Sequence, residues 1–102
     1  MELIEISSPS EHVMLIRFAR PNALNALNKQ LLVELADALK GAENDGNARC
    51  VVLTGDKRAF SAGADIKEMP DSGIPTFAEI SRLKAWKTIE GFSKPLIAAV
   101  NG

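Results

Sequence analysis

The residues best suited to chemistry lie between Arg58 and Met69, where Gly63 is flanked by Ala62 and Ala64. The segment follows an apolar run and leads into residues that predict a helix start. Small residues let the backbone approach a ligand closely, and glycine adopts φ/ψ values that other residues avoid. Unpaired amide N–H groups at the positive end of a helix can stabilise an oxyanion. The pattern also fits a plain turn.

Strands and helices alternate around this loop. Apolar runs predict strands at residues 3–6 and 13–18, joined by a polar turn at 7–11, and two buried strands at 50–53 and 96–100. Asn28 is a suitable N-cap for a helix that runs to Glu43, and a capping box from Thr76 to Glu79 predicts a second helix. The order is therefore ββαβαβ, which is an α/β arrangement.

Each predicted helix has an apolar face with the 3.6-residue period. In the first helix the buried face should consist of Leu31, Leu32, Leu35, Ala36, Leu39 and Ala42. In the second, the inward residues should be Phe77, Ile80, Leu83, Trp86 and Ile89.

The composition excludes several classes of function. The chain has 102 residues, which allows one domain at most, and its 46% hydrophobic and 25% charged residues are typical of a folded globular protein. A net charge of −1 does not favour nucleic acid or an anionic membrane. Because no apolar run is long enough for a membrane span and the first residues are acidic, we expect a cytoplasmic protein.

The single cysteine and the single histidine offer little chemistry. Cys50 adjoins an apolar run and is expected to be a buried, inert thiol. His12 lies where a loop meets a strand, and a catalytic role is not favoured. One histidine and one cysteine are too few ligands for a transition-metal site.

Three segments, in this order, resemble the amino-terminal part of the enoyl-CoA hydratase/isomerase (crotonase) family. They are residues 20–27, which are similar to an early Arg-Pro…Asn-Ala-Leu motif, the Val51–Gly55 strand followed by the Ala62–Asp65 loop, and the Lys94–Gly102 segment. Together they cover nearly the whole chain. The resemblance implies an α/β crotonase-like ββα spiral, of which residues 1–102 would be the amino-terminal part of a single domain.

The resemblance also implies the reaction and the residues that take part. The implied activity is the reversible addition of water to a 2-enoyl-CoA thioester, with the Ala64 N–H as one oxyanion donor and the second donor beyond Gly102. Coenzyme A belongs to the substrate, so no separate cofactor is implied. The residues implied to bind the CoA thioester are Ala23, Leu24, Ala26, Ala62, Gly63, Ala64, Asp65, Ile66 and Lys67.

The physical argument for ligand binding is not equally strong for all of these residues. Lys67 suits the phosphates of coenzyme A because it is cationic, and the same argument applies more weakly to Lys57 and Arg58. Asp65 could equally be a helix cap.

The acid/base groups are the part that the resemblance does not supply. The family's two catalytic glutamates follow the second oxyanion segment, so Glu68 and Glu79 do not match them, and the isolated chain is expected to be inactive. Other crotonase chemistries stay open, namely isomerase, dehalogenase, decarboxylase and thioester hydrolase, as does a non-catalytic acyl-CoA-binding module. The family's assemblies are trimers or hexamers, and the apolar strand at 96–100 also predicts self-association or a partner.

Overall fold

The structure is a computed structural model that describes residues 2–56, 58–61, 63 and 77–100. Within these residues, the elements follow the predicted ββαβαβ order. They are β1 (Ile4–Ser10), β2 (Val13–Phe18), a 3₁₀ turn (Pro21–Ala23), α1 (Lys29–Glu43), β3 (Cys50–Thr54), α2 (Phe77–Glu90) and β4 (Leu96–Ala99).

The four strands form one mixed sheet in the order β1-β2-β3-β4. β1 pairs with β2 in antiparallel fashion, whereas β2 with β3 and β3 with β4 are parallel. Arg17 near the end of β2 lies opposite Thr54 at the end of β3. Because parallel strands end at the same edge of a sheet, the segments that follow β2 and β3 emerge side by side.

Helix α1 covers one face of the sheet and forms the main core with it. Asn28 caps the helix, since its side chain accepts a hydrogen bond from the Leu31 N–H at 2.9 Å. All six residues of the predicted apolar face are buried, as is Ala38. Leu31, Leu35, Ala38, Leu39 and Ala42 pack against a sheet face that includes Ile16, Phe18 and Val51, whereas Leu32 and Ala36 pack against the second helix.

Lys94 ties the end of α1 to the start of β4. Its Nζ donates to the carbonyl oxygens of Ala42, Asp45 and Ala48 at 2.5, 2.8 and 2.6 Å. These carbonyls belong to the last turn of α1 and the loop that leads to β3, where free acceptors are expected. A cation at this position also interacts favourably with the helix dipole.

The first hairpin differs from the prediction. Residues 7–10 were expected to form a polar turn, but β1 continues to Ser10 and the turn consists of Glu11 and His12, with His12 at φ 66°. A register shift lies between Ser7 and Ser10. Pro9 is compatible with this strand because β1 is at the edge of the sheet, where a missing N–H need not break a ladder bond.

Three expectations of burial were wrong. On α2, Ala85 is buried and packs against Leu32 and Ala36 of α1, with Ile89 alongside. The other four residues predicted to face inward are exposed, namely Phe77 (81%), Ile80 (44%), Leu83 (58%) and Trp86 (37%). The last strand is not buried either, since Ile97 is 53% exposed. Cys50 is half-buried, and β3 alternates buried and half-buried residues.

Candidate functional site

The candidate site is built from two segments that leave the same edge of the sheet. The first, the β2 segment, is Arg20–Leu27, and the second, the β3 loop, comprises the described residues from Gly55 to Gly63. Each follows a strand, and the two strands are parallel neighbours. The edge formed by the carboxyl ends of parallel strands is where α/β proteins commonly bind ligands.

The β2 segment is a tight turn with an unusual backbone. After the 3₁₀ turn, Leu24 and Asn25 both have left-handed conformations, with φ values of 49° and 58°. Asparagine tolerates this region, but a leucine there costs roughly 1 to 2 kcal/mol. The turn is held by bonds from the Asn25 N–H to the Arg20 carbonyl at 2.8 Å and from Arg20 Nη1 to the Ala26 carbonyl at 2.9 Å. Strain of this kind is characteristic of ligand sites.

The β3 loop starts with a close backbone crossing at Gly55. A Cβ atom on this residue would lie 2.1 Å from the Ala59 oxygen and 2.5 Å from the Phe60 Cα. Only glycine therefore fits here without moving the loop. Phe60 fixes the loop to the core, because its ring lies 5.2 Å from that of Phe18 in a tilted arrangement.

Asp56 organises the turn that follows Gly55. Its carboxylate accepts hydrogen bonds from the N–H groups of Arg58 at 2.9 Å and Ala59 at 3.1 Å. These two bonds lower the pKa of Asp56 below its ordinary value, with smaller contributions from the Arg58 charge and a hydrogen bond from the Asn25 side chain. The carboxylate thus works as an internal template for the loop.

The two segments are joined by hydrogen bonds. Asn25 Nδ2 donates to the Ala59 carbonyl at 3.1 Å, and Ser61 Oγ donates to the Asn25 carbonyl at 2.8 Å. The Leu27 N–H donates to the Gly63 carbonyl at 2.6 Å, and the Gly63 N–H donates to Ser61 Oγ at 3.1 Å. Gly63 has φ 97°, a value that other residues rarely adopt.

The structure brings together those predicted site residues that it describes. Ala23 and Ala26 are half-buried and Leu24 is 39% exposed, and all three lie in the segment bonded to Gly63. The remaining predicted site residues lie outside the described residues, namely Ala62, Ala64, Asp65, Ile66 and Lys67. Three other residues of the sequence analysis also lie outside them: Lys57, Glu68 and the predicted capping residue Thr76.

Sequence reasoning missed the two side chains that connect the segments, Asn25 and Ser61. The sequence does contain a signal for Asn25, because an asparagine between apolar residues is expected either in a turn or in a buried position with hydrogen-bond partners. Its partner at position 61 lies 36 residues away, so spacing along the chain could not reveal the contact.

Two absences apply to the described part of the chain. None of its groups of His, Cys, Asp and Glu side chains has three members placed to share a metal ion. None of its helices is long and apolar enough to cross a membrane.

Fold and site together define an α/β protein whose candidate ligand region is a pair of hydrogen-bonded loops at the carboxyl edge of a mixed sheet. Comparison with known proteins agrees with this class. The family model for enoyl-CoA hydratase/isomerase matches residues 8–102. The chain therefore belongs to the enoyl-CoA hydratase/isomerase family, and its fold is an amino-terminal portion of the crotonase fold.

Individual relatives show how much of such a protein this chain represents. The 2,3-dehydroadipyl-CoA hydratase of Escherichia coli K12 is 41% identical over 97 residues, which are 95% of this chain and 38% of the relative. The mitochondrial enoyl-CoA hydratase of Pongo abelii is 48% identical over 90 residues, which are 88% and 31%. The crystal structure of enoyl-CoA hydratase subunit I from Geobacillus kaustophilus has 36% identity and a TM-score of 0.86, covering 98% of this chain and 38% of that one. The chain thus spans less than two fifths of these relatives.

Proposed function

We propose that this chain forms the acyl-CoA-binding portion of an enoyl-CoA hydratase, with the Ala64 N–H as one of two oxyanion donors. The observation that carries the proposal is the fixed backbone of Gly63, immediately before Ala64. Its carbonyl accepts from Leu27 and its N–H donates to Ser61. A donor must be held in place before the reaction if it is to favour the transition state.

The chemistry needs such a donor because charge develops on the thioester oxygen. When water adds to the β-carbon of a 2-enoyl thioester, the carbonyl becomes an enolate. Two N–H groups directed at this oxygen stabilise the charge, and loss of one donor in an acyl-transfer site costs about 3 kcal/mol. The second donor and the two glutamates that handle water and the α-proton are implied by the family to lie beyond this chain.

The β2 segment supports the substrate class. Ala23, Leu24 and Ala26 would line the adenine and pantetheine of coenzyme A. Leu24 has a strained backbone and a side chain that is 39% exposed. This combination is expected of a residue whose position serves ligand binding rather than packing. Arg58 is exposed and, with Lys67, would provide positive charge for the phosphates.

The isolated chain should bind an acyl-CoA without converting it. The glutamates of the family are outside it, so we expect a binding module in isolation and a hydratase only when those groups are supplied. An enoyl-CoA isomerase, the other activity in the family's name, would use the same loop with different acid/base groups. A cytoplasmic location is part of this proposal, although the relatives from Pongo abelii and Dictyostelium discoideum are mitochondrial by name.

A calorimetric titration of the 102-residue chain with crotonyl-CoA tests the proposal. We expect saturable binding, weaker binding of free coenzyme A, and no loss of the enoyl absorbance. Two variants sharpen the result: Ala64→Pro removes the proposed donor, whereas Ala64→Gly retains it. Crotonyl-CoA should lose its advantage over coenzyme A only in the proline variant. No binding at millimolar ligand would contradict the acyl-CoA site, and turnover would contradict the inactivity of the isolated chain.

A further inference from the structure

We propose that Asn25 is a positioning residue for the β3 loop, which it holds through Ala59 and Ser61 so that the backbone before Ala64 is fixed. The ligand in this inference rests on the proposed function, whereas the hydrogen bonds do not. Asn25 touches no reacting atom in this account. It acts on the donor through the residues that it anchors.

The burial of Asn25 is the first argument. It has no exposed surface, and among the described residues it is the one polar residue that is buried. A buried amide is costly unless its groups are paired, and here they are paired. Oδ1 accepts from the Arg20 N–H at 2.8 Å, and Nδ2 donates to the Ala59 carbonyl at 3.1 Å. One side chain thus bridges both segments.

The backbone of Asn25 narrows the choice of residue further. Its φ of 58° suits asparagine, aspartate or glycine, and few other residues. Aspartate would lose the donor to Ala59 and would bring a charge close to the Asp56 carboxylate, which already interacts with the Asn25 amide. Glycine would lose both side-chain bonds. Asparagine alone meets the conformational requirement and makes both bonds.

The hydrogen bonds continue from Asn25 to Gly63. The Asn25 carbonyl accepts from Ser61 Oγ at 2.8 Å, and the same oxygen atom of Ser61 accepts from the Gly63 N–H at 3.1 Å. Two residues after Asn25, the Leu27 N–H holds the Gly63 carbonyl at 2.6 Å. Both polar groups of the Gly63 backbone therefore depend on the conformation around Asn25.

The test uses matched variants of the 102-residue chain. Asn25→Gly keeps the backbone conformation and removes both side-chain bonds, whereas Asn22→Gly makes the same change at an exposed position of the same segment. Ser61→Ala removes the hydrogen bonds that Ser61 Oγ makes with the Asn25 carbonyl and the Gly63 N–H but leaves the Asn25 side chain in place, and Ser61→Thr restores a hydroxyl. Ser61 is half-buried, so its variants remain informative even where Asn25→Gly does not fold.

The first measurement is amide hydrogen exchange, which needs no ligand. Exchange of the Leu27 amide, which donates to Gly63, should become about tenfold faster in Asn25→Gly and Ser61→Ala, since one hydrogen bond contributes roughly this factor. The Leu39 amide in α1 should change little, and Ser61→Thr and Asn22→Gly should behave as the wild type. Equal acceleration at Leu27 and Leu39 would indicate a general loss of stability and overturn the positioning role. Unchanged exchange at Leu27 would overturn it as well.

The second measurement is the ratio of affinities for crotonyl-CoA and coenzyme A. A misplaced donor should lower the affinity for crotonyl-CoA about tenfold in Asn25→Gly and leave that for coenzyme A nearly unchanged. An equal loss for both ligands would contradict positioning of the thioester donor. If the wild-type chain binds neither, the proposed function fails, and the exchange experiment still decides the role of Asn25.

Discussion

The two helices differ in how completely they use their apolar residues. Helix α1 buries its whole predicted face, and Leu31 and Leu39 have no exposed surface. Helix α2 has apolar residues with a similar period, but Phe77 and Leu83 are mostly exposed. Periodicity therefore identifies which residues share a face, whereas burial depends on an element that covers it. Within the described residues, the sheet and α2 together cover the apolar face of α1, whereas most of the apolar residues of α2 are left uncovered.

The largest expected effect separates these two helices directly. Leu39→Ala should lower the free energy of unfolding by about 2 to 5 kcal/mol, because it removes buried methyl groups and leaves a cavity. Leu83→Ala, the same change on α2, should stay within about 0.5 kcal/mol at a protein concentration low enough for the chain to be monomeric, because the side chain is 58% exposed in the single chain. Urea unfolding of both variants gives the comparison. Similar losses would mean that the α2 face is covered in the folded protein.

A second contrast compares two glycines. Gly55→Ala should cost about 1 to 3 kcal/mol and weaken crotonyl-CoA binding, because the new Cβ would overlap Ala59 and Phe60 and displace the β3 loop. Gly41 lies in α1 with nothing within 4 Å of an added Cβ. Gly41→Ala should instead stabilise the chain by about 0.5 to 1 kcal/mol. Urea unfolding and the titration check both, and a tolerated Gly55→Ala would show that the crossing is not tight.

The apolar strand β4 favours self-association, which stays a prediction from the sequence, and the exposed face of α2 adds a second apolar surface. We expect a second copy of the chain to cover them, because Leu83 and Ile97 are more than half exposed. Sedimentation equilibrium should detect dimers or larger species, and Leu83→Lys with Ile97→Lys should weaken association about tenfold or more. Lys84→Glu is a control for charge on the same helix. A monodisperse monomer at high protein concentration would contradict the prediction.

The smallest effect is the pH dependence due to Asp56. Its folded pKa lies below its ordinary value, so the carboxylate contributes stability above the unfolded pKa of about 3.9. This contribution is lost as the pH falls through the folded pKa. The difference in stability between wild type and Asp56→Asn should thus be present at pH 7 and shrink below about pH 4. Urea unfolding at several pH values measures it, and a constant difference would contradict the template role.

The local parts of the fold were accessible from the sequence, whereas the contacts between distant segments were not. The Asn28 cap and the grouping of the apolar residues on one face of α1 are confirmed, because both depend on neighbours within one helix. The predicted extent of β1 was wrong because a proline such as Pro9 normally indicates a turn. Proline is compatible with a strand at the edge of a sheet, but the sequence alone does not show that β1 lies at the edge. The small-residue loop led to the candidate site, which stays a prediction, whereas the proposed role of Asn25 depends on partners 34 and 36 residues away.

The central claim is that the β2 segment and the β3 loop together hold a backbone donor for a thioester oxygen. The most direct measurement is the infrared carbonyl stretch of ¹³C-labelled crotonyl-CoA bound to the chain. Relative to crotonyl-CoA in a solvent without hydrogen-bond donors, we predict that the carbonyl stretch shifts to lower frequency on binding to the wild type and to Ala64→Gly, because a hydrogen bond weakens the carbonyl bond. The shift should be smaller in Ala64→Pro. A bound carbonyl with the same frequency as in water-free solvent, or with equal shifts in all three proteins, would contradict the claim.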